Sequence, residues 1–247
     1  MKTILLKLAG PLQAWGTDAH FETRHTDRHP AKSAVIGLIA AAFGYRREED
    51  EQIQKLGALH FAVRVDQPGR LAKDYQIAAK KNLKKEDAVE HTYTTTRYYL
   101  EDALFVAAVG HEDGAWVSAI ADALRAPYFQ PFMGRRSCPV PADLLLDVAD
   151  ADVLSALNQL PWQAADWYRR RYVREHPDAK AAKLEVFADA ALVASPKGRQ
   201  MRRDEVISFS QSNRRHRFRN EARTQVTLDM PEMAAAGHDA FAALGGV

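Results

Sequence analysis

The run SAVIGLIAAAFGY at 33–45 constrains this chain more than any other stretch, because it is apolar nearly all round. A helix without a polar stripe has no face to turn to water, so other elements must enclose it. Ser33 is the expected N-cap and Gly44 the expected stop. Everything else in the chain has to be arranged around that buried helix.

The flanking sequence supplies the enclosing elements. Residues 1–8 read as a strand through Ile4, Leu5, Leu6 and Leu8, and Gly10-Pro11 then opens a loop that runs to Lys32. A short helix at 48–56 leads to HFAVRVD (60–66), whose alternating Phe61, Val63 and Val65 suit a strand. After the turn Gln67-Pro68-Gly69 comes a polar, Lys-rich insertion to about Arg97. A strand at 104–109, an amphipathic helix from Trp116 to Ala126 and a strand from Leu144 follow. The order strand, helix, strand, insertion, strand, helix, strand predicts an α+β fold, a ferredoxin-like domain over 1–150 with one long insertion. Residues 151–247 are expected to form a smaller, β-rich C-terminal part. Its strand signals are LEVFAD (184–189), EVISFS (205–210) and TQVTLDM (224–230), and residues 234–247 read as a terminal helix or a tail.

Composition narrows the function classes. With 47% hydrophobic and 27% charged side chains over 247 residues, the chain can bury one sizeable core or two small ones. No segment approaches the roughly 18 uninterrupted apolar residues of a membrane helix, and no membrane partner is expected. Cys138 is the single cysteine, so no internal disulfide or cysteine zinc cluster is available, and a cytoplasmic location is the default. Net charge is only +2, but it is unevenly spread. Between Pro196 and Asn220 stand eight Lys or Arg against Asp204 and Glu205, whereas 141–166 holds five aspartates and no Lys or Arg. One face is expected to meet a polyanion and another to meet protein or solvent.

Three local motifs carry chemistry. In HFETRHTDRHPAKSAVIG (20–37), Arg24, Arg28 and Lys32 recur every four residues just before a helix start, where backbone N–H groups also favour anions. That loop reads as an RNA-phosphate cradle, or as a surface loop whose charges pair with Asp18, Glu22 and Asp27. In PYFQPFMGRRSCP (127–139), Arg135 and Arg136 follow Gly134, which permits close backbone approach, while Tyr128, Phe129 and Phe132 are better read as core than as base-stacking rings. The insertion carries Lys80, Lys81, Lys84 and Lys85 near its middle and can project as an arm with a basic tip, or remain a solvated loop.

GPLQAWG after the first strand, then F-E-T-R-x-T-x-R-x-P-x-K-S before the apolar helix, then GRRSCP in mid-chain, resemble the Cas-five family of RAMP proteins in its type I-E CRISPR Cascade branch. The likeness covers about the first 140 residues, and the arginine-bearing segments RRDEV at Arg202 and RFR at Arg217 are similar to the family's C-terminal part. The resemblance implies an RRM-related domain with a β-hairpin thumb at about 67–97. It implies a subunit that caps the 5′ handle of the guide RNA (crRNA), packs against the backbone and large subunits of Cascade, and lies with its thumb near the target DNA. On that resemblance Gln13 and Trp15 fall beside the handle, Arg24, Arg28, Lys32 and Ser33 in the basic turn, and Arg135 and Arg136 in the mid-chain loop. Lys80, Lys81 and Lys84 fall on the thumb. Trp15 then packs beside a splayed nucleotide, or else anchors its loop to the core.

No P-loop, H-E-x-x-H, G-x-S-x-G or paired-cysteine motif is present, and no cofactor or metal is expected. Metal-independent RNA cleavage, as in related type I-C systems, needs a base near neutral pKa and a cation for the developing charge. His20, His25, His29 or His91 with Tyr93 are the side chains to consider, and spacing alone does not choose among them. GRRSCP points to the branch in which a separate subunit processes RNA, so a non-catalytic scaffold is expected. Cys138 reads as a packed small residue.

Overall fold

The computed structural model describes residues 1–16, 22–81 and 89–230, and the side chains of 80, 81, 89 and 90 are not among those described. The all-round apolar run becomes α1 (Lys32–Phe43), which buries Val35, Ile36, Leu38, Ile39, Ala40 and Ala42. Gly44 closes it in the left-handed region at φ 82°. The start differs from expectation. Ala31 is the N-cap and offers no side-chain bond, while Ser33 is buried in the first turn. The unpaired first-turn donor is met from far along the chain, since the Lys32 backbone N–H donates to Asp204 Oδ2 at 2.9 Å.

Around α1 the elements follow in the predicted order. They are β1 (Lys2–Ala9), the two-residue β2 (Leu12–Gln13) and β3 (Thr23–Arg24), α2 (Asp50–Leu56), β4 (His60–Gln67), β5 (Arg70–Lys81) and β6 (Val89–Glu101). Then come β7 (Leu104–His111), α3 (Gly114–Arg125), which Asp113 caps through the Trp116 N–H, and β8 (Leu145–Ala149). Helices α4 (Val153–Gln159) and α5 (Asp166–Glu175) precede β9 (Ala181–Asp189), β10 (Gly198–Ser208) and β11 (Arg215–Asp229). Seven strands form one antiparallel sheet in the order β10-β11-β9-β4-β7-β1-β8. The three late strands extend the sheet of the first 150 residues, because β9 pairs with β4.

One face of the sheet carries α1, α2 and α3 on Ile4, Leu6, Leu8, Phe61, Val63, Phe105, Ala107 and Val109. The other face is covered as well. Val153, Ala156 and Leu157 of α4, with Trp162 and Ala164, pack on Leu5, Ala62, Val106 and Ala108. Buried Arg64 fastens that cover by donating to the carbonyls of Leu157, Leu160 and Pro161 while pairing with Asp66 at 2.7 Å, and the Trp162 indole donates to the Asp66 carbonyl at 2.9 Å. Double cover explains why 104–109 reads as a continuous apolar run rather than an alternating one. It also means that the centre of the sheet is not an open platform for nucleotides. The helices α4 and α5 stand where the sequence suggested only strands and loops.

β5 and β6 form a hairpin paired from Arg70↔Glu101 to Lys81↔Val89. At 12 residues, β5 alone spans about 40 Å. The opposite edge of β6 takes β2 at Leu100 and Glu101 and β3 at Thr96 and Arg97. The loop after β1 is thereby laid along the base of the hairpin. Lys84 and Lys85, His20, Asp18 and residues 234–247 lie outside the described residues.

Candidate nucleic-acid interface

Two loops meet at the base of the hairpin, and glycines let them. Gly134 has φ +79°, and a Cβ there would stand 1.6 Å from the Ala14 carbonyl oxygen. A Cβ on Gly10 would meet Met133 Cε at 2.9 Å. The Ala14 N–H donates to the Met133 carbonyl at 3.3 Å, and the loop is closed on itself by Met133 N–H to the Cys138 carbonyl at 2.7 Å and Cys138 N–H to the Arg135 carbonyl at 2.8 Å. The glycines of GPLQAWG and GRRSCP therefore bring the motifs to each other.

Gln13 and Trp15 belong to this joint rather than to the surface. Gln13 is fully buried, its amide donating to the carbonyls of Leu8 at 3.1 Å and Ala103 at 2.6 Å, and its Oε1 accepts from the Trp15 indole at 3.0 Å. Trp15 is 2% exposed. Of the two readings of Trp15, the structure shows the anchor. Burying such a ring contributes about 3 kcal/mol, and its N–H needs the partner that Gln13 provides.

Arginines surround the joint. Arg135 lies over the Tyr99 ring with its guanidinium carbon 4.3 Å from the centroid, and its Nη2 donates to the Arg24 carbonyl at 3.0 Å. Its Nη1 is buried and has no hydrogen-bond partner, and the same is true of Arg97 Nε. Arg97 stands directly opposite Arg24 in the β3–β6 register. Arg24, Arg28 and Arg136 are exposed, and among the described residues none of these five arginines has a carboxylate within ion-pair distance. Guanidinium forks left with free N–H groups, one of them held over a ring, suit phosphate oxygens. Sequence reasoning missed Arg97, although its place in a Thr- and Tyr-rich strand beside two motif loops was the available signal.

Lys32 and Ser33 do not join the cluster. Lys32 is 7% exposed and its Nζ donates to Asp189 at 3.1 Å, and Ser33 is 6% exposed. Lys32 belongs to a buried ionic network that ties the basic turn to the last strands. Arg219 grips Asp204 through two 2.9 Å bonds and also reaches Asp189 at 3.0 Å and Glu221 at 2.9 Å. Arg202 donates to Asp27 at 2.9 Å and to the His29 carbonyl at 3.1 Å, and its guanidinium lies against the His29 ring, whose Nε2 is 3.2 Å from the Glu221 carboxylate. Burial holds the His29 pKa below its ordinary value, and Arg202 acts in the same direction against Glu221. Burial alone would raise the Glu221 carboxyl, but the His29 bond and the Arg202 charge hold it well below the usual carboxylate range. The segments RRDEV (202–206) and RFR (217–219) therefore supply, through Arg202, Asp204 and Arg219, a structural network, and His29 is spent on it.

The other expectations resolve as follows. Lys80 and Lys81 sit on β5 by their backbone pairing, and Lys84 lies outside the described residues. Tyr128, Phe129 and Phe132, expected in the core, are 74%, 43% and 36% exposed. The reason is backbone docking: the N–H groups of Tyr128 and Phe129 cap the last carbonyls of α1 at Ala42 and Ala41, which holds the rings outside. Cys138 is buried and burial pushes its thiol pKa up, so it stays protonated as a packed residue. His91 and Tyr93 pair edge-to-face at 4.5 Å on the hairpin, and His25 stacks on Tyr98 at 5.3 Å. Among the described residues, no helix is long and apolar enough to cross a membrane.

Residues 3–226 match the family described as CRISPR-associated protein (Cas_Cas5). The chain belongs to this family. It is 33% identical over 187 residues to the CRISPR system Cascade subunit CasD of Escherichia coli (strain K12), covering 70% of this chain and 83% of that one. A solved CRISPR RNA-guided surveillance complex contains a chain of similar structure, with a TM-score of 0.75, 30% identity, and coverage of 96% of this chain and 95% of that one. A crystal structure of a Cas protein aligns with a TM-score of 0.60 at 29% identity, over 92% of this chain and 95% of that one. The Cas5 match runs through the late strands that carry the ionic network, as well as through the two motif loops.

Proposed function

We propose that this Cas5 protein is the subunit of a type I-E Cascade that caps the 5′ handle of the crRNA, with the handle phosphates held on Arg24, Arg28, Arg97, Arg135 and Arg136. The observation that carries the reading is Arg135, stacked on Tyr99 at 4.3 Å, tied to the Arg24 carbonyl, and left with a buried, unpartnered Nη1. A pre-oriented cation with an unmet donor is an anion site in waiting. The ferredoxin-like, RAMP-type reading of the domain is supported by the order β4-β7-β1-β8 around α1 and α3, and the β5–β6 hairpin has the length and position of a thumb. On this reading the hairpin reaches the backbone and large subunits and passes near target DNA. Similarity to the Cascade subunit CasD supports that placement.

The test is binding of the full chain to end-labelled repeat RNA and to a scrambled strand in EDTA, followed by a denaturing gel. Handle preference that falls about tenfold or more in Arg135→Ala/Arg136→Ala, with the RNA left intact, supports a non-catalytic cap. Equal binding to both strands by the unmodified protein would overturn the handle reading. The His91–Tyr93 pair favours one alternative, a metal-independent endoribonuclease, and a discrete protein-dependent cut lost in His91→Ala would establish it.

A further inference from the structure

The cationic segment 196–220 is sorted by the fold into two sides. β11 pairs with β9 only from Glu221 onward, so 215–220 pairs with β10 alone and the two strands continue as a two-stranded ribbon. Its inner side holds Arg202, Asp204, Val206, Ser208 and Arg219, all buried, and β10 packs there on α1 and α2. Its outer side is bare. Met201 stands directly opposite Asn220 and is 68% exposed, and Phe218, two residues from Asn220 on the same strand, is 59% exposed. Arg199 and Arg203 flank Met201 at two residues on either side, both exposed and without an ion pair among the described residues. No carboxylate stands among these five positions.

We propose that this outer side is a second, sequence-tolerant contact for single-stranded RNA, with a base stacked on Phe218 beside Met201 and the adjoining phosphates on Arg199 and Arg203. The charge pattern selects the occupant. The core of a protein interface is depleted in charge, whereas here each exposed apolar side chain has an arginine near it, and the neighbouring Glu205 is already turned to Arg217 at 3.9 Å. A partner must therefore bring flat apolar surfaces and negative charge together, which single-stranded nucleic acid does. The platform lies beyond the helices that cover the rest of the sheet. It is also separate from the Arg135 site, since its buried neighbours Arg202 and Arg219 turn the other way.

The test uses the full chain and a labelled oligouridine of about fifteen nucleotides, which has no handle sequence. Phe218→Ala is expected to weaken binding at least about fivefold, the low end for losing one stacked base, and Phe218→Tyr to restore it. Arg199→Ala/Arg203→Ala is expected to lower the slope of log affinity against log salt by about 1.4. Oligouridine carrying 5-iodouridine should crosslink to the peptide containing Phe218. Phe218→Ala that folds and binds like the unmodified protein, or crosslinks confined to 22–28 and 135–136, would overturn the proposal. Lost assembly with protein neighbours and unchanged RNA binding would overturn it equally. Absence of handle preference alongside a Phe218-dependent oligouridine complex would sink the handle reading and leave this one standing.

Discussion

Single residues decide whether the two motif loops can meet. Gly134→Ala places a Cβ against a backbone oxygen at a positive φ, so neither rotamer change nor small shifts relieve it. We expect a loss of at least 2 kcal/mol, about 4–8 °C in the midpoint of thermal unfolding, together with weakened handle binding although the residue offers no side chain to RNA. Gly198→Ala, where a Cβ meets nothing within 4 Å, is the matched control and should leave the midpoint within about 1 °C. Gln13→Ala should act like Gly134→Ala at smaller scale, about 1–3 kcal/mol, because it leaves the Trp15 indole and two buried carbonyls without partners. A Gln13→Ala protein that lost RNA affinity without losing thermal stability would contradict the anchoring role. The GRRSCP motif was legible as a loop of close backbone approach, but its glycine was legible only as permissive; the oxygen it must clear comes from residue 14.

At the scale of elements, the start of α1 is held by strands from the far end of the chain. Asp204 accepts the Lys32 N–H and the Arg219 fork, and Asp189 accepts from Lys32, Arg219 and the Phe61 N–H at 2.9 Å. Removing one partner from such a buried network strands the others, which costs more than the pair contributes. Arg219→Ala is expected to lower stability by about 3–5 kcal/mol, read by chemical denaturation, and to loosen α1 in hydrogen exchange ahead of β1 and β7. Uniform exchange across α1 and the central strands would show that the network does not govern the helix start. Lys32 and Arg28 illustrate why spacing misled: every fourth residue looked equivalent in sequence, yet Arg28 is exposed and Lys32 is internal.

For the whole molecule, the same network makes stability depend on pH. His29 has a folded pKa below its ordinary 6.5, so below that pH the unfolded chain takes up a proton that the folded chain refuses, and stability falls. Glu221 adds to the fall below about pH 4.5, since its stabilisation is present above the unfolded value and is lost as pH drops toward the depressed folded one. Thermal unfolding between neutral pH and about pH 5.5 should show a declining midpoint in the unmodified protein and a flatter profile in His29→Gln. Equal slopes would contradict the assignment. The sequence by itself determined the buried helix, its glycine stop and the order of strands and helices from β1 to β8 around an insertion, because periodicity, glycine and turn chemistry act over a few neighbouring residues; that the insertion pairs as a hairpin was implied only by the family resemblance. It also marked the family. Only the tertiary structure decided which cations face solvent. A charge is internal when carboxylates more than 150 positions away converge on it, as Asp189 and Asp204 do on the first turn of α1, and no local pattern records that convergence.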